Sequence, residues 1–240
     1  MDTEGDWRKI REKFWDKDVM FNCIYLESLY QMAELAGYAG KGRDERRFLD
    51  LAEEVEIEIQ TLWEPNAWKG NGAFLNIDKD NQPIPEVSVG SLGAFMLRSL
   101  ATEQLESMMD LVEASFNGQY GIPCTPTDGP NAGAHKWEIE RIWGDDSSWD
   151  NVNWLILKGM EMHAEREDLP MELRGRIARF AIEVDISSNE ALEKYWPPSE
   201  FRSSTTGEPR RKRVGSFAWA MLPRFMKTAH RLQYLLEETA

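Results

Sequence analysis

The chain has 240 residues with 28 basic and 42 acidic side chains, a net charge of −14, so it is long enough for one domain with a sizeable core and too acidic to suit phosphate backbones or anionic lipid surfaces. No stretch approaches the roughly 18 consecutive apolar residues of a spanning helix, and the charged opening MDTEGDWRKIREKFW has no apolar core of a secretion signal. Two cysteines, no Cys-x-x-Cys and three scattered histidines exclude a disulfide scaffold and a zinc pattern, and the expectation is a cytoplasmic protein with no metal, no cofactor, no nucleic-acid partner and no membrane partner.

Apolar residues recur at helical spacing in Val19, Phe21, Ile24, Tyr25, Leu29, Met32, Leu35 and Ala36, which predicts a first helix over 17–38 closed by Gly37 and Gly40. The same periodicity predicts helices over 43–63, 87–100, 102–117, 150–166, 170–186 and 216–238, about seven in all. β-Branched residues alternate nowhere long enough for a sheet, although a short hairpin around Ala73–Ile77 fits the pattern. The fold expected is all-α, in one domain spanning 1–240.

Short connections (39–42, the Ala101 region, 167–169) alternate with long ones (64–85, 118–149, 187–215). Antiparallel hairpins joined in this way place the short turns at one end and the long loops at the other. Loops of more than about 15 residues in a compact domain usually serve binding or catalysis. The hairpin period of roughly 65 residues exceeds that of the common helical solenoids.

The chain has ten tryptophans, and Trp63, Trp68, Trp137, Trp143, Trp149, Trp154, Trp196 and Trp219 lie in or beside the long loops. Any one of these rings could simply be loop core, because tryptophan buries well when its N–H finds a partner. As a group beside carboxylates and amides they suit a polyhydroxylated ligand, with rings covering the C–H faces of a sugar and polar groups bonding its hydroxyls. Most loop acids must be solvated surface at this net charge. Asp78-Lys-Asp80-Asn81 lacks the glycine and glutamate of a calcium loop and reads as a polar turn. Arg210-Arg211-Lys212-Arg213 is a single basic run in an acidic chain and reads as a loop that pairs with nearby acids.

Several segments, in order, resemble the (α/α)6-toroid glycosidases that include mannosylglycerate and glucosylglycerate hydrolases, family 63 α-glucosidases and trehalases. Phe14-Trp-Asp-Lys-Asp18-Val-Met-Phe-Asn22 is similar to the segment that opens an inner helix, Leu62-Trp63-Glu64 to the next hairpin, and Gly121-Ile122-Pro123 to the segment before the aromatic motif. Trp143-Gly144-Asp145-Asp146-Ser147-Ser148-Trp149-Asp150-Asn151-Val152-Asn153-Trp154-Leu155 resembles the pattern Trp-Arg-Gly-Pro-x-Trp-x-x-x-Asn-Trp-Leu. Glu193-Lys194-Tyr195-Trp196-Pro197, Thr206-Gly207-Glu208 and Gly215-Ser216-Phe217-Ala218-Trp219 resemble the closing Glu-x-Tyr-x-Pro, Thr-Gly and Gly-x-Phe-x-Trp run.

The resemblance implies an incomplete (α/α)6 barrel of helical hairpins. It also implies a glycoside-hydrolase-type domain for a small α-glucoside or glycosyl-glycerate. Glu193 matches the family's general base, and Trp68, Trp143, Trp149, Asn153, Tyr195 and Trp219 are the candidate sugar-site residues. The Arg-Gly-Pro of the aromatic motif is replaced here, with one residue inserted. The family's general acid lies upstream of the matched region, and no residue of this chain matches it. Inverting hydrolysis needs two carboxyl groups roughly 6.5–9.5 Å apart, one to protonate the leaving oxygen and one to activate water. Asp145 or Asp146 is the internal candidate for the acid; their ordinary role would be turn bonding or helix capping. Otherwise a complementary N-terminal half-barrel chain supplies it, or a homo-oligomer covers the open edges. The competing expectation is a noncatalytic carbohydrate-binding or regulatory module, or an inactive remnant of such an enzyme.

Overall fold

A computed structural model describes residues 18–78, 80–128, 147–195, 202–209 and 227–238. Backbone contacts divide the chain into two compact units, Met1–Leu100 and Ala101–Ala240. Among the described residues there are seven helices, one of them a 3-10 helix, and two small two-stranded sheets.

The first unit is built on an antiparallel helix pair, α1 (Val19–Tyr38) and α2 (Gly42–Gln60). Asp18 caps α1 by accepting from the Phe21 N–H at 2.9 Å, and the Val19 N–H is taken by Asn76 Oδ1 at 2.8 Å. Two of the amides at the helix start are thus satisfied by side chains. α1 closes with Gly40 N–H bonding the Gly37 carbonyl at 2.9 Å and Lys41 N–H bonding the Ala36 carbonyl at 2.8 Å, the paired bonds of a Schellman end. Its inner face buries Val19, Cys23, Leu26, Leu29, Ala33 and Ala36. Across the pair, the Tyr30 hydroxyl donates to Glu56 at 2.5 Å, the Arg98 guanidinium stacks 3.6 Å from the Tyr30 ring centre, and the Ser99 N–H reaches the other Glu56 oxygen at 2.8 Å.

The hairpin expected around Ala73–Ile77 is present slightly upstream, as β1 (Trp63–Trp68) and β2 (Asn71–Phe74), joined by Lys69-Gly70 with both residues at positive φ. Such a two-residue turn matches the twist of antiparallel strands. The helix expected over 87–100 is instead a 3-10 helix, Ser91–Met96. Gly93 explains its shortness: a Cβ there would lie 2.9 Å from Met20 Cα, so the segment is pressed against the backbone of α1. All six residues are buried, which leaves no polar face to mark the element's limits.

The second unit contains α3 (Thr102–Ser115), β3 (Ser147–Ser148), α4 (Asp150–Ala164), α5 (Met171–Lys194), β4 (Arg202–Ser203) and α6 (Thr228–Glu238). α4, α5 and α6 pack together around Ile156, Met160, Ile177, Ala181, Leu232 and Leu235, all buried. α5 runs eight residues past the expected end at 186. The polar Ser187-Ser188-Asn189 reads as a break, yet Ser187 Oγ donates to the Val184 carbonyl at 3.2 Å and Asn189 Nδ2 to the Asp185 carbonyl at 3.0 Å. Ser187 and Asn189 thus fold back onto the helix, which continues through them. Of the helix expected over 216–238, residues 216–226 lie outside the described residues and Thr228–Glu238 is helical; Lys227 has φ 52°, which a right-handed helix cannot contain, so it is not part of α6.

Among the described residues no helix is long and apolar enough to cross a membrane.

Candidate active site

In the second unit the start of α4, the end of α5 and the segment after it converge. β3 pairs antiparallel with β4, Ser147 opposite Ser203 and Ser148 opposite Arg202. The Tyr120 N–H donates to the Ser204 carbonyl at 2.6 Å, and the Cys124 N–H to the Ser147 carbonyl at 2.7 Å. The connections that follow α3 and α5 therefore meet at one end of the α4–α5 pair. Sequence spacing could not place this sheet, since each strand is two residues long.

Asp150 and Arg202 lie at the centre. Arg202 Nε donates to the Tyr120 carbonyl at 3.0 Å, and its terminal nitrogen pairs with the Asp150 carboxylate. Burial pushes the Asp150 carboxyl above its ordinary value, and the facing guanidinium offsets only part of that. Beside them, Asn153 Nδ2 donates to Ser148 Oγ at 2.9 Å; Asn153 is fully buried, and its Oδ1 receives no donor among the described residues. Asp150, Ala191, Leu192, Tyr195, Arg202, Gly207 and Pro209 line a small cleft.

Glu193 stands exposed on the last turn of α5, not in the loop where the shorter predicted helix would have left it. Tyr195, the C-cap residue, is half-buried and donates its hydroxyl to the Thr206 carbonyl at 3.3 Å. Lys194 Nζ sits 5.6 Å from the Tyr120 ring centre and 5.0 Å from that of Tyr195. Trp149 and Asn153 are both buried, at the N-cap and in the first turn of α4. Trp68 belongs to the first unit, half-buried at the end of β1 with Lys69 Nζ 5.7 Å from its ring centre. Asp145, Asp146, Trp143 and Trp219 lie outside the described residues, as do the basic run 210–213 and the Trp196-Pro197 part of the closing motif.

Sequence reasoning missed Asp150, Arg202 and Ser148 as a set. Asp150 was one acid among many, and Arg202 lies outside every motif. The aromatic motif's arginine has no counterpart between Trp143 and Trp149; the guanidinium that reaches this segment comes from β4 instead. Both cysteines are buried, with the Cys124 thiol pushed up to about 12, so neither is poised as a nucleophile. Among the described residues no group of three or more His, Cys, Asp or Glu side chains is arranged to hold a metal.

The chain resembles several solved structures. The mannosylglycerate hydrolase of Thermus thermophilus, from glycoside hydrolase family 63, aligns in its glucose complex at a TM-score of 0.66 and 16% identity, over 92% of this chain and 47% of that one. Its Tris complex aligns at 0.66 and 17%, over 90% and 45%. Neutral trehalase Nth1 of Saccharomyces cerevisiae aligns at 0.59 and 13%, over 89% and 38%. The chain thus spans less than half the length of each of these structures. At these identities the likeness shows the fold, which is that of the (α/α)6-toroid glycosidases, with only minor sheets. No curated protein is significantly similar to it in sequence. The profile of the mannosylglycerate hydrolase MGH1-like glycoside hydrolase domain matches residues 1–219, and the chain belongs to that family.

Proposed function

We propose that this chain, as a single domain, forms part of an inverting glycosidase for a small α-glucoside or glycosyl-glycerate, with Glu193 as general base. The observation that carries the reading is the position of Glu193: a water-exposed carboxylate on the final turn of α5, two residues before the cleft-lining Tyr195. An ionised carboxylate in water can take a proton from a water molecule as that water attacks the anomeric carbon. A second carboxyl must donate a proton to the leaving oxygen as the glycosidic bond breaks. Asp145 or Asp146 is the internal candidate for that acid. We favour supply from outside these 240 residues, by a complementary half-barrel chain, because the resemblance puts the acid upstream of the matched region; a homo-oligomer would instead cover the open edges. Phe21, Tyr25, Met32 and Leu35, 62, 48, 46 and 60% exposed along α1, support such an association, since a contiguous apolar face commonly marks an interaction surface. The solved mannosylglycerate hydrolase complexes with glucose, and with Tris and D-glycerate, motivate the substrate class. Trp68, Trp143, Trp149, Asn153, Tyr195 and Trp219 are the proposed sugar-site residues.

The test is calorimetric affinity beside turnover for wild type and Glu193→Gln, each with and without a chain carrying the N-terminal half-barrel. The amide keeps the shape of the carboxylate but cannot accept a proton from water. Binding should change little, while turnover of the completed enzyme should fall by about 10²- to 10⁴-fold, the usual contribution of a positioned acid or base. Full activity in the Gln variant would place the base elsewhere.

A further inference from the structure

One side chain ties the segment after α5 into the second unit. Arg202 leaves β4 opposite Ser148, donates Nε–H to the Tyr120 carbonyl at 3.0 Å, and pairs with Asp150 in the first turn of α4. The two side chains keep only 8% and 2% of their surface exposed. A buried ion pair adds little net stability over apolar residues of the same volume, but removing one partner leaves a buried charge uncompensated. The pair therefore resists displacement even where it adds little to folding.

The tie extends to the end of α5. Residues 202–209 fold back on themselves through Ser203 N–H to the Glu208 carbonyl and Gly207 N–H to the Ser203 carbonyl, both at 2.9 Å. This turn presents the Thr206 carbonyl to the Tyr195 hydroxyl at 3.3 Å. It also places Gly207 so close that a Cβ there would lie 3.1 Å from the Tyr120 ring and 3.2 Å from the Tyr195 ring. Tyr195 is thus gripped by a turn that Arg202 anchors.

We propose that Arg202, together with Asp150, is a positioning residue that acts through Tyr195: by anchoring the 202–209 turn it fixes the ring at the cleft and so governs sugar affinity. The inference rests on the reading of Glu193 and Tyr195 as sugar-site residues. The geometric part of it, the grip on Tyr195, does not need a sugar.

Both parts can be read on the full chain labelled with 3-fluorotyrosine, with the Tyr195 fluorine resonance assigned by Tyr195→Phe and D-glucose affinity measured by calorimetry. The variants are Arg202→Met, Arg202→Lys, and the double variant Asp150→Asn with Arg202→Met, which removes both charges and so leaves neither one buried alone. In Arg202→Met and the double variant, the Tyr195 resonance should move toward that of free fluorotyrosine, with a change at Tyr120, which touches the same turn, while the lines of Tyr25, Tyr30, Tyr38 and Tyr234 stay. Glucose affinity should fall on the order of tenfold, as when a remote change misplaces a site group. Arg202→Lys should restore part of both. A folded double variant with an unmoved Tyr195 resonance and unchanged affinity overturns the proposal. A wild-type protein without glucose affinity whose Tyr195 resonance still moves in the variants sinks the sugar-site reading alone and leaves the grip supported.

Discussion

Gly121 adopts φ +110°, and a Cβ there would stand 2.5 Å from Ser148 Oγ and 2.6 Å from Asn153 Nδ2. Conformation and space both demand glycine at this point, where the chain passes behind the Ser148–Asn153 hydrogen bond. Gly121→Ala should therefore lower stability by about 1–3 kcal/mol from backbone strain, with crowding adding to it. Urea denaturation reads this directly, and an unchanged midpoint would contradict the packing around β3. Asp150 makes a different prediction. Burial raises its folded pKa above the ordinary 3.8, so the folded protein holds that proton more tightly than the unfolded chain, and ionising the group costs stability. The contribution to stability grows as pH falls through the raised value and levels off below the unfolded one. Asp18 and Asp185 shift in the same direction, also through burial. Asp150→Asn should consequently remove that contribution, so that on acidification from neutral pH toward the ordinary carboxylate value its thermal midpoint gains less, or loses more, than that of the wild type; equal slopes in the two proteins would show that Asp150 keeps an ordinary pKa. Glu193 is proposed from its motif alone, whose residues are contiguous in sequence. The partners Asp150 and Arg202 are 52 positions apart in numbering, and no local pattern joins them.

α6 illustrates how one helix is docked by polar contacts on buried ground. Asp185 on α5 accepts from the Ala229 N–H at 2.9 Å, capping α6 from a neighbouring helix. Glu161 on α4 gathers the Thr228 hydroxyl, the Arg231 guanidinium and, at 2.9 Å, the Lys158 ammonium. Leu232 and Leu235 supply the buried apolar side. Removing the cap with Asp185→Ala should cost about 1 kcal/mol. Hydrogen exchange should quicken through 228–238 while the amides of α1 stay protected; uniform quickening would mean that the carboxylate supports the whole chain and not this helix. The long helices were legible because their buried faces recur at a fixed spacing. What escaped were the elements without such a signature: the wholly buried 3-10 helix, the two-residue strands, and the last eight residues of α5, where Ser187 and Asn189 bond the helix backbone.

The whole molecule is an acidic helical chain of the MGH1-like glycoside hydrolase family that spans less than half the length of each solved structure described above. Fold and family were legible in the order of short motifs and in connections of alternating length. Sugar identity was not, because a pocket's shape is set by side chains from segments distant in sequence. The proposed chemistry also depends on a carboxyl that no residue of this chain matches. The most direct test of the central claim is a crystal structure of the chain with D-glucose, alone and with the N-terminal half-barrel. Glucose should bind beside Tyr195, with a water held by the Glu193 carboxylate roughly 3 Å away and directed at the anomeric carbon. Glucose bound with Glu193 remote from the anomeric carbon, or no glucose in this cleft in either form, would contradict it.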